Sequence, residues 1–209
     1  MKMANPIFIT FEGIDGSGKS SLSHLLFEFL FENRIPVVET FEPTHSYLGK
    51  TIRDIILFSK EPISENQQIL LFQADRAGHV LWIKEQMKLG KSVICDRFIH
   101  STLAYQGKDK KTIQFINATY KALNGHFLPD ITYLLDLDPA TALMRIDDEK
   151  KDNFETSGFQ HLVRNRYIAL ARESSKQFEV LDGAMPQEKL LQIIIASLQK
   201  RFNLLDRKE

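Results

Sequence analysis

Cysteine is nearly absent from this sequence. Cys95 stands alone among 209 residues, so no disulfide can form within the chain. A reducing cytoplasm is the expected setting, and in the apolar run "SVIC" the thiol is expected to be a buried strand residue. Long apolar runs are missing too. No stretch approaches the length of a membrane span, and the opening "MKMANP" carries no hydrophobic segment of signal-peptide length. Neither charge is in excess: Lys plus Arg and Asp plus Glu both number 27, for a formal net charge of zero. That balance gives no reason to expect a nucleic-acid partner or a membrane surface. The six histidines, His24, His45, His79, His100, His126 and His161, show no metal-ligand spacing and are expected on helix surfaces or in loops. There is no internal repeat. What remains is an ordinary globular composition, 43% hydrophobic and 26% charged, long enough for a single domain over 1–209 with a substantial core.

Strand-like runs alternate with longer helix-like ones. The strand candidates are "IFITFE" (7–12), "PVVETF" (36–41), "SVICDR" (92–97), "ITYLLDLD" (131–138) and "FEVLDG" (178–183). Most are continuous apolar runs, which suits strands covered on both faces. Between them, Leu, Ile and Phe recur at helical spacing in 20–33, 66–90, 109–125, 161–176 and 186–202, with Gly90 and Gly125 as stops. This alternation predicts an α/β fold: a five-stranded parallel sheet flanked by helices, with ligands beyond the carboxyl ends of the strands. The polar stretch 145–157 breaks the pattern and reads either as a solvated loop or as a short lid.

Gly13-Ile14-Asp15-Gly16-Ser17-Gly18-Lys19-Ser20 fits the phosphate-loop pattern G-x-x-x-x-G-K-[ST], between a predicted strand and a predicted helix. Glycines let the backbone curl so that several N–H groups face one anion, and the helix N-terminus adds partial positive charge. Lys19 can reach the β- and γ-phosphates of ATP, and Ser20 offers a hydroxyl to Mg²⁺. The motif does not choose between a GTPase, an ATPase motor and a small-molecule kinase. No guanine-reading "NKxD" follows.

Further chemistry lies on the same rim. Asp96 and Arg97 end the third strand: Asp96 can hold Mg²⁺ through water or orient an acceptor phosphate, and Arg97 can grip phosphate oxygens with its planar fork. Phe72 and Arg76, four residues apart in "LLFQADR", share a helix face and could stack on and hydrogen-bond to a nucleobase; Phe72 alone would more often be core.

Together "FEGIDGSGKSS", Glu42-Pro43 with Arg53, "LLFQADR" and above all "DRFIHSTLAYQG" resemble thymidylate kinases, in order and over nearly the whole chain. The resemblance implies a P-loop NTPase three-layer fold and a reaction in which ATP with Mg²⁺ phosphorylates dTMP to dTDP, in dTTP biosynthesis, by a homodimer. It implies that the backbone from Gly13 to Ser20, with Lys19, holds ATP and that Ser20 and Asp96 serve the metal. Arg97 would bridge donor and acceptor phosphates. Phe72 would stack on thymine, with Arg76, Ser101 and Thr102 along the base edge. Tyr105 would crowd out a 2′-hydroxyl, Gln106 would complete the pocket, and Glu42 and Arg53 would line the sugar-phosphate site. Asp15, whose side chain could otherwise point to solvent, would accept from the sugar 3′-hydroxyl.

Three departures stand out. Family members carry an arginine either in the phosphate loop, where this chain has Gly16, or in the lid, where it has Asp152-Asn153-Phe154-Glu155. Arg145, Lys150 and Lys151 are the candidate replacements. Phe41 stands where many members have arginine, and Thr44-His45-Ser46 where bacterial members often have "GGT".

Overall fold

A computed structural model describes residues 5–58, 63–146 and 157–204. The strands are β1 (Phe8–Gly13), β2 (Val37–Phe41), β3 (Ser92–Asp96), β4 (Ile131–Asp136) and β5 (Phe178–Asp182). Each lies within about two residues of its sequence candidate. β4 stops earlier than the run "ITYLLDLD" suggests. Asp138 instead accepts from the N–H groups of Ala140 and Thr141 at 3.0 and 3.2 Å and, with Pro139 next, starts a helix.

The helices are α1 (Lys19–Glu32), α2 (Tyr47–Phe58), α3 (Glu65–Lys88), α4 (Ile99–Gln106), α5 (Lys110–Asn124), α6 (Pro139–Leu143), α7 (Ser157–Glu173) and α8 (Gln187–Phe202). Ser64 and Gln67 form a capping box that starts α3. Asp109 caps α5 through the Thr112 N–H at 2.8 Å. Helices α2, α4 and α6 were not legible. Six residues of the eight-residue α4 are buried, so no polar face marks its period. In α2 the spacing of Leu48, Ile52 and Ile56 is helical, but Gly49 interrupts it.

All strand pairs are parallel, in the order β2-β3-β1-β4-β5. β1 leads through α1 to β2 on one side, whereas β3 leads through α4 and α5 to β4 on the other. These opposed crossovers leave from neighbouring strands and open a crevice at their carboxyl ends. On one face, α1 (Leu22, Leu26, Leu30) and α8 (Leu190, Ile194, Leu198) cover Ile9 and Phe11. On the other, α3, α4, α5 and α7 cover Phe8, Val93 and Leu134. The three α1 leucines are essentially fully buried, each contributing about 1.5–3 kcal/mol. Because both faces are covered, the strands carry continuous apolar runs. Cys95 is buried in β3, and burial pushes its thiol well up. Among the described residues no helix is long and apolar enough to cross a membrane.

Candidate active site

The crevice begins where β1 gives way to the loop Gly13–Gly18. Gly13 has φ 146°, and a Cβ there would lie 2.7 Å from the Leu135 carbonyl. Gly16 has φ 76°, and a Cβ there would lie 2.2 Å from the Ala142 carbonyl of α6. No side chain fits at residue 16, which accounts for the absence of an arginine in the loop. Lys19 opens α1 and donates to the Ile14 carbonyl at 2.8 Å. Burial, with Arg97 nearby, pushes Lys19 down to about 8 against the pull of Asp15, Asp96 and Glu12.

β3 delivers Asp96 and Arg97 beside this loop. Ser20 donates its hydroxyl to Asp96 Oδ2, and Asp96 Oδ1 is buried with no hydrogen-bond partner among the described residues. Arg97 has a left-handed backbone, φ 67°, costing on the order of 1 kcal/mol for a residue with a Cβ. The buried carboxylate of Glu12 over-determines that turn. It accepts from the Phe98 and Ser101 N–H groups at 2.9 and 3.2 Å, and from the Ser101 and Tyr167 hydroxyls at 2.6 and 2.8 Å. Burial pushes Glu12 up, and those bonds with Arg97 pull the other way.

Arg97 Nη1 donates to the Gly13 carbonyl and to Ser101 Oγ, each at 3.3 Å, and Nη2 pairs with Asp15. Tyr105 donates to the second Asp15 oxygen at 2.6 Å, and Gln160 of α7 approaches it at 3.4 Å. Burial works against the Asp15 charge, but Arg97, Lys19, Tyr105 and Gln160 outweigh it and hold the carboxyl down at about 2. Asp15 therefore points inward rather than to solvent.

Two cavities meet at this pair. The first, about 250 Å³, is lined by Asp15, Glu42, Arg53, Phe72, Arg76, Arg97, Ser101, Thr102, Tyr105 and Gln106, together with Pro43, Ile56 and Phe98. The ten residues that the sequence singles out for an acceptor thus line one cavity, although they come from the phosphate loop, the ends of β2 and β3, and α2, α3 and α4. The second, about 670 Å³, is lined by Asp15 through Ser20, by Arg97 and Arg145, and by the β5–α8 loop with Gln187. Sequence reading missed that loop; its signal was the "LDG" that ends β5. Arg145 also donates to the Gly183 carbonyl at 3.3 Å, so one of the three lid candidates stands at the phosphate loop. Lys150 and Lys151 lie outside the described residues.

The altered β2–α2 segment has a structural basis. Asp75 accepts from the Thr44 N–H at 2.8 Å and from the Thr44 and Ser46 hydroxyls at 2.6 and 2.9 Å, which fixes the 44–46 turn without glycines. Arg53 lies over the Phe41 ring at 5.7 Å and donates to the Pro43 and Thr44 carbonyls. Its guanidinium thus occupies the neighbourhood of the missing arginine.

Glu42 and Arg76 form a buried ion pair, Nη2 to Oε2 at 2.7 Å, whose breakage costs about 3–5 kcal/mol. His79 and His100 are only 6% exposed, contrary to the surface positions expected for the histidines. His79 bonds Glu42 Oε1 at 2.9 Å. His100 packs edge-on against Phe178, and burial pushes it down to about 3. Trp82 is 37% exposed and stacks on His79, so it is not core.

Comparison with known proteins finds thymidylate kinases by family model, by sequence and by structure. Residues 11–194 fit the family model described as thymidylate kinase. A thymidylate kinase of Chlorobium chlorochromatii is 35% identical over 95% of this chain and 96% of its own length. A probable thymidylate kinase of Methanocaldococcus jannaschii is 40% identical over 86% of this chain and 88% of its own. The crystal structure of thymidylate kinase from Ehrlichia chaffeensis superposes with a TM-score of 0.73 at 32% identity, covering 93% of this chain and 99% of that one.

Proposed function

The chain belongs to the thymidylate kinase family and phosphorylates dTMP to dTDP with ATP, and from that premise we propose that the smaller cavity takes dTMP and the larger one the phosphates of ATP. The observation that carries this reading is that Asp15 and Arg97 line both cavities. A group transferred from one to the other must pass that pair.

Phe72 offers a flat face to thymine. Arg76 and Thr102 supply polar atoms at the base edge, and Gln106 closes the pocket. Tyr105, its hydroxyl held by Asp15, stands against the sugar and disfavours a 2′-hydroxyl. Ser101 meets Glu12, Tyr167 and Arg97. Its part is to steady the Arg97 fork. The acceptor phosphate is already anionic, so no strong base is needed. Catalysis is alignment of two anions and relief of their repulsion, supplied by Lys19, Arg97, the loop N–H groups and Arg145.

The donor set fits Mg²⁺, which prefers oxygen ligands and keeps several waters. Ser20 Oγ and the Asp96 carboxylate lie together, and the orphaned Asp96 Oδ1 is an acceptor suited to a metal-bound water. When bound, the ion would neutralise charge on the β- and γ-phosphates. The test of the whole reading is ADP release from ATP, with and without Mg²⁺, against dTMP, dUMP, UMP, CMP, AMP and GMP. Metal-dependent turnover with preference for dTMP is expected; equal rates without the ion, or with ribonucleotides, contradict it.

Lys19 gives a pH prediction. It is half deprotonated near pH 8 in the free protein, and bound phosphates favour its charged form. Binding ATP therefore takes up a proton once the pH passes that value. The ATP Kd, followed by calorimetry, is expected to rise by up to about tenfold per pH unit above about pH 8. A flat Kd to about pH 9 would mean that Lys19 does not meet the phosphates.

Homodimerisation through α3 is supported by exposed apolar side chains along one of its faces: Leu70 is 47% exposed, Leu81 70% and Trp82 37%, with Ala74 and Gly78 between them. Sedimentation velocity is expected to return twice the chain mass. A single-chain mass at all concentrations tested removes the proposal.

A further inference from the structure

Arg76 is 1% exposed, and its hydrogen bonds can be counted. A guanidinium has five N–H groups in a rigid plane. Nε donates to Glu42 Oε2 at 2.8 Å. Nη2 lies 2.7 Å from the same Glu42 oxygen and donates to the Phe98 carbonyl at 3.2 Å and to Thr102 Oγ1 at 3.0 Å. Nη1 donates once, to Gln73 Oε1 at 3.2 Å. One N–H on Nη1 is left without a partner among the described residues, on a side chain that lines the smaller cavity.

The groups that fix Arg76 are themselves fixed. Glu42 presents its other oxygen to His79 Nδ1 at 2.9 Å, and His79 Nε2 lies 2.8 Å from Thr40 Oγ1. Gln73 is fully buried, and its amide nitrogen donates to the Ile116 carbonyl of α5 at 3.1 Å. That bond settles the orientation of the amide, so its oxygen must face Arg76. A chain of buried bonds thus runs from β2 through α3 to α5 and passes through the Arg76 fork. None of its outer members, Thr40, His79 or Gln73, lines the smaller cavity.

We propose that Glu42, His79 and Gln73 are positioning residues that act through Arg76. Glu42 and Gln73 hold one edge of the guanidinium each, His79 steadies Glu42, and with Phe98 and Thr102 on Nη2 the plane is held so that the remaining Nη1 N–H meets a hydrogen-bond acceptor on the base edge. A pyrimidine with a carbonyl at that edge satisfies the N–H. One with an amino group there leaves two donors facing each other in a buried site. Glu42, although it lines the cavity, spends both carboxylate oxygens on Arg76 and His79, so its contribution is the aim of Arg76 rather than a contact with the sugar-phosphate. This inference rests on the reading that the smaller cavity holds the base.

The test uses the full chain and four variants beside the wild type. His79→Leu and Gln73→Leu remove the outer supports. His79→Asn keeps a side-chain N–H near the Nδ1 position. Arg76→Ala removes the fork itself. Steady-state rates are measured with dTMP, and with dCMP as acceptor or competitive inhibitor, together with the KM for ATP and the melting temperature. His79→Leu and Gln73→Leu are each expected to raise KM for dTMP about tenfold and to narrow the dTMP-over-dCMP preference, with kcat and KM for ATP within about twofold. His79→Asn is expected to recover most of the KM. An unchanged KM and preference overturns the proposal. So does a joint fall of kcat, ATP use and melting temperature with no rescue by His79→Asn, since that marks a purely structural role. If His79→Leu does not fold, the milder Thr40→Val removes only the hydroxyl at Nε2 and should raise KM for dTMP about threefold; no change counts against the proposal. If Arg76→Ala leaves KM for dTMP unaltered, the reading of the cavity itself fails. If Arg76→Ala raises it and the outer variants do not, only the positioning inference fails.

Discussion

Replacing Arg97 with alanine is expected to lower kcat about a thousandfold while leaving ATP binding nearly intact. Arg97 lines both cavities, and its fork is aimed by three contacts: the Gly13 carbonyl, Ser101 and Asp15. Its left-handed backbone, φ 67°, is held by Glu12 through the Phe98 N–H at 2.9 Å, so the protein invests strain in keeping this side chain between the two substrates. Burial opposes its charge, but Asp15 and the neighbouring acidic and phenolic groups more than compensate, and the guanidinium stays cationic across the working range. A cation in that position counts most when charge redistributes between two phosphates, so the loss belongs in kcat. Arg97→Lys keeps the charge but not the bidentate fork and should fall between wild type and alanine. A rise in KM for dTMP with kcat within about tenfold would reduce Arg97 to an acceptor-binding residue.

Asp15→Asn carries the second large effect. The expected loss is about a hundredfold in kcat/KM for dTMP, with the Kd for ATP changed by less than about threefold. The phosphate loop has two sides. Its backbone and Lys19 face the larger cavity, and the Asp15 carboxylate, bonded to Arg97 and to Tyr105 at 2.6 Å, faces the smaller one. The amide leaves the loop path alone but replaces one acceptor oxygen by an NH2 donor, so it cannot serve Arg97, Tyr105 and a sugar hydroxyl together. A pH consequence follows from the same group. Its carboxyl is held at about 2, below the ordinary 3.8, so its contribution to stability is complete above about pH 4 and is lost as pH falls toward 2. Acid unfolding of Asp15→Asn should lack that component. Equal losses for ATP and dTMP would show that Asp15 supports the whole loop rather than the acceptor.

The parts of the molecule that sequence made legible are those in which neighbours in the chain do the chemistry together. Gly13 to Ser20 is a phosphate cradle because its glycines, lysine and serine are consecutive. The strands are legible because both faces are covered, so apolar residues run on without interruption. Phe72 and Arg76 share a face of α3 by helical spacing alone.

The hidden parts are polar bonds between residues far apart in the chain. Tyr167 reaches Glu12 across a separation of 155 residues, and Gln160 reaches Asp15 across 145. Asp75 and Gln73 sit in the same short stretch as Phe72 and Arg76, yet only the fold assigns one to the 44–46 turn and the other to the guanidinium. His79 looked like a surface histidine because a helix pattern cannot tell a polar residue that faces water from one that faces a buried carboxylate. Gly16 is instructive in the opposite sense. In the sequence it is only a missing arginine that calls for a replacement elsewhere, whereas in the fold the Ala142 carbonyl leaves no room for a side chain.

One measurement bears most directly on the claim that the smaller cavity receives the acceptor: a crystal structure of the chain with dTMP bound. Phe72 should lie flat against thymine, with the free Arg76 N–H on a base carbonyl. Tyr105 should lie against the sugar, with the 3′-hydroxyl on Asp15 and the phosphate beside Arg97. A wider groove of about 1100 Å³ runs between α1, β2 and α3 and shares Glu42 and Arg97 with the smaller cavity. Thymidylate found in that groove, with the smaller cavity empty and Arg97 still turned to Asp15, would contradict the account.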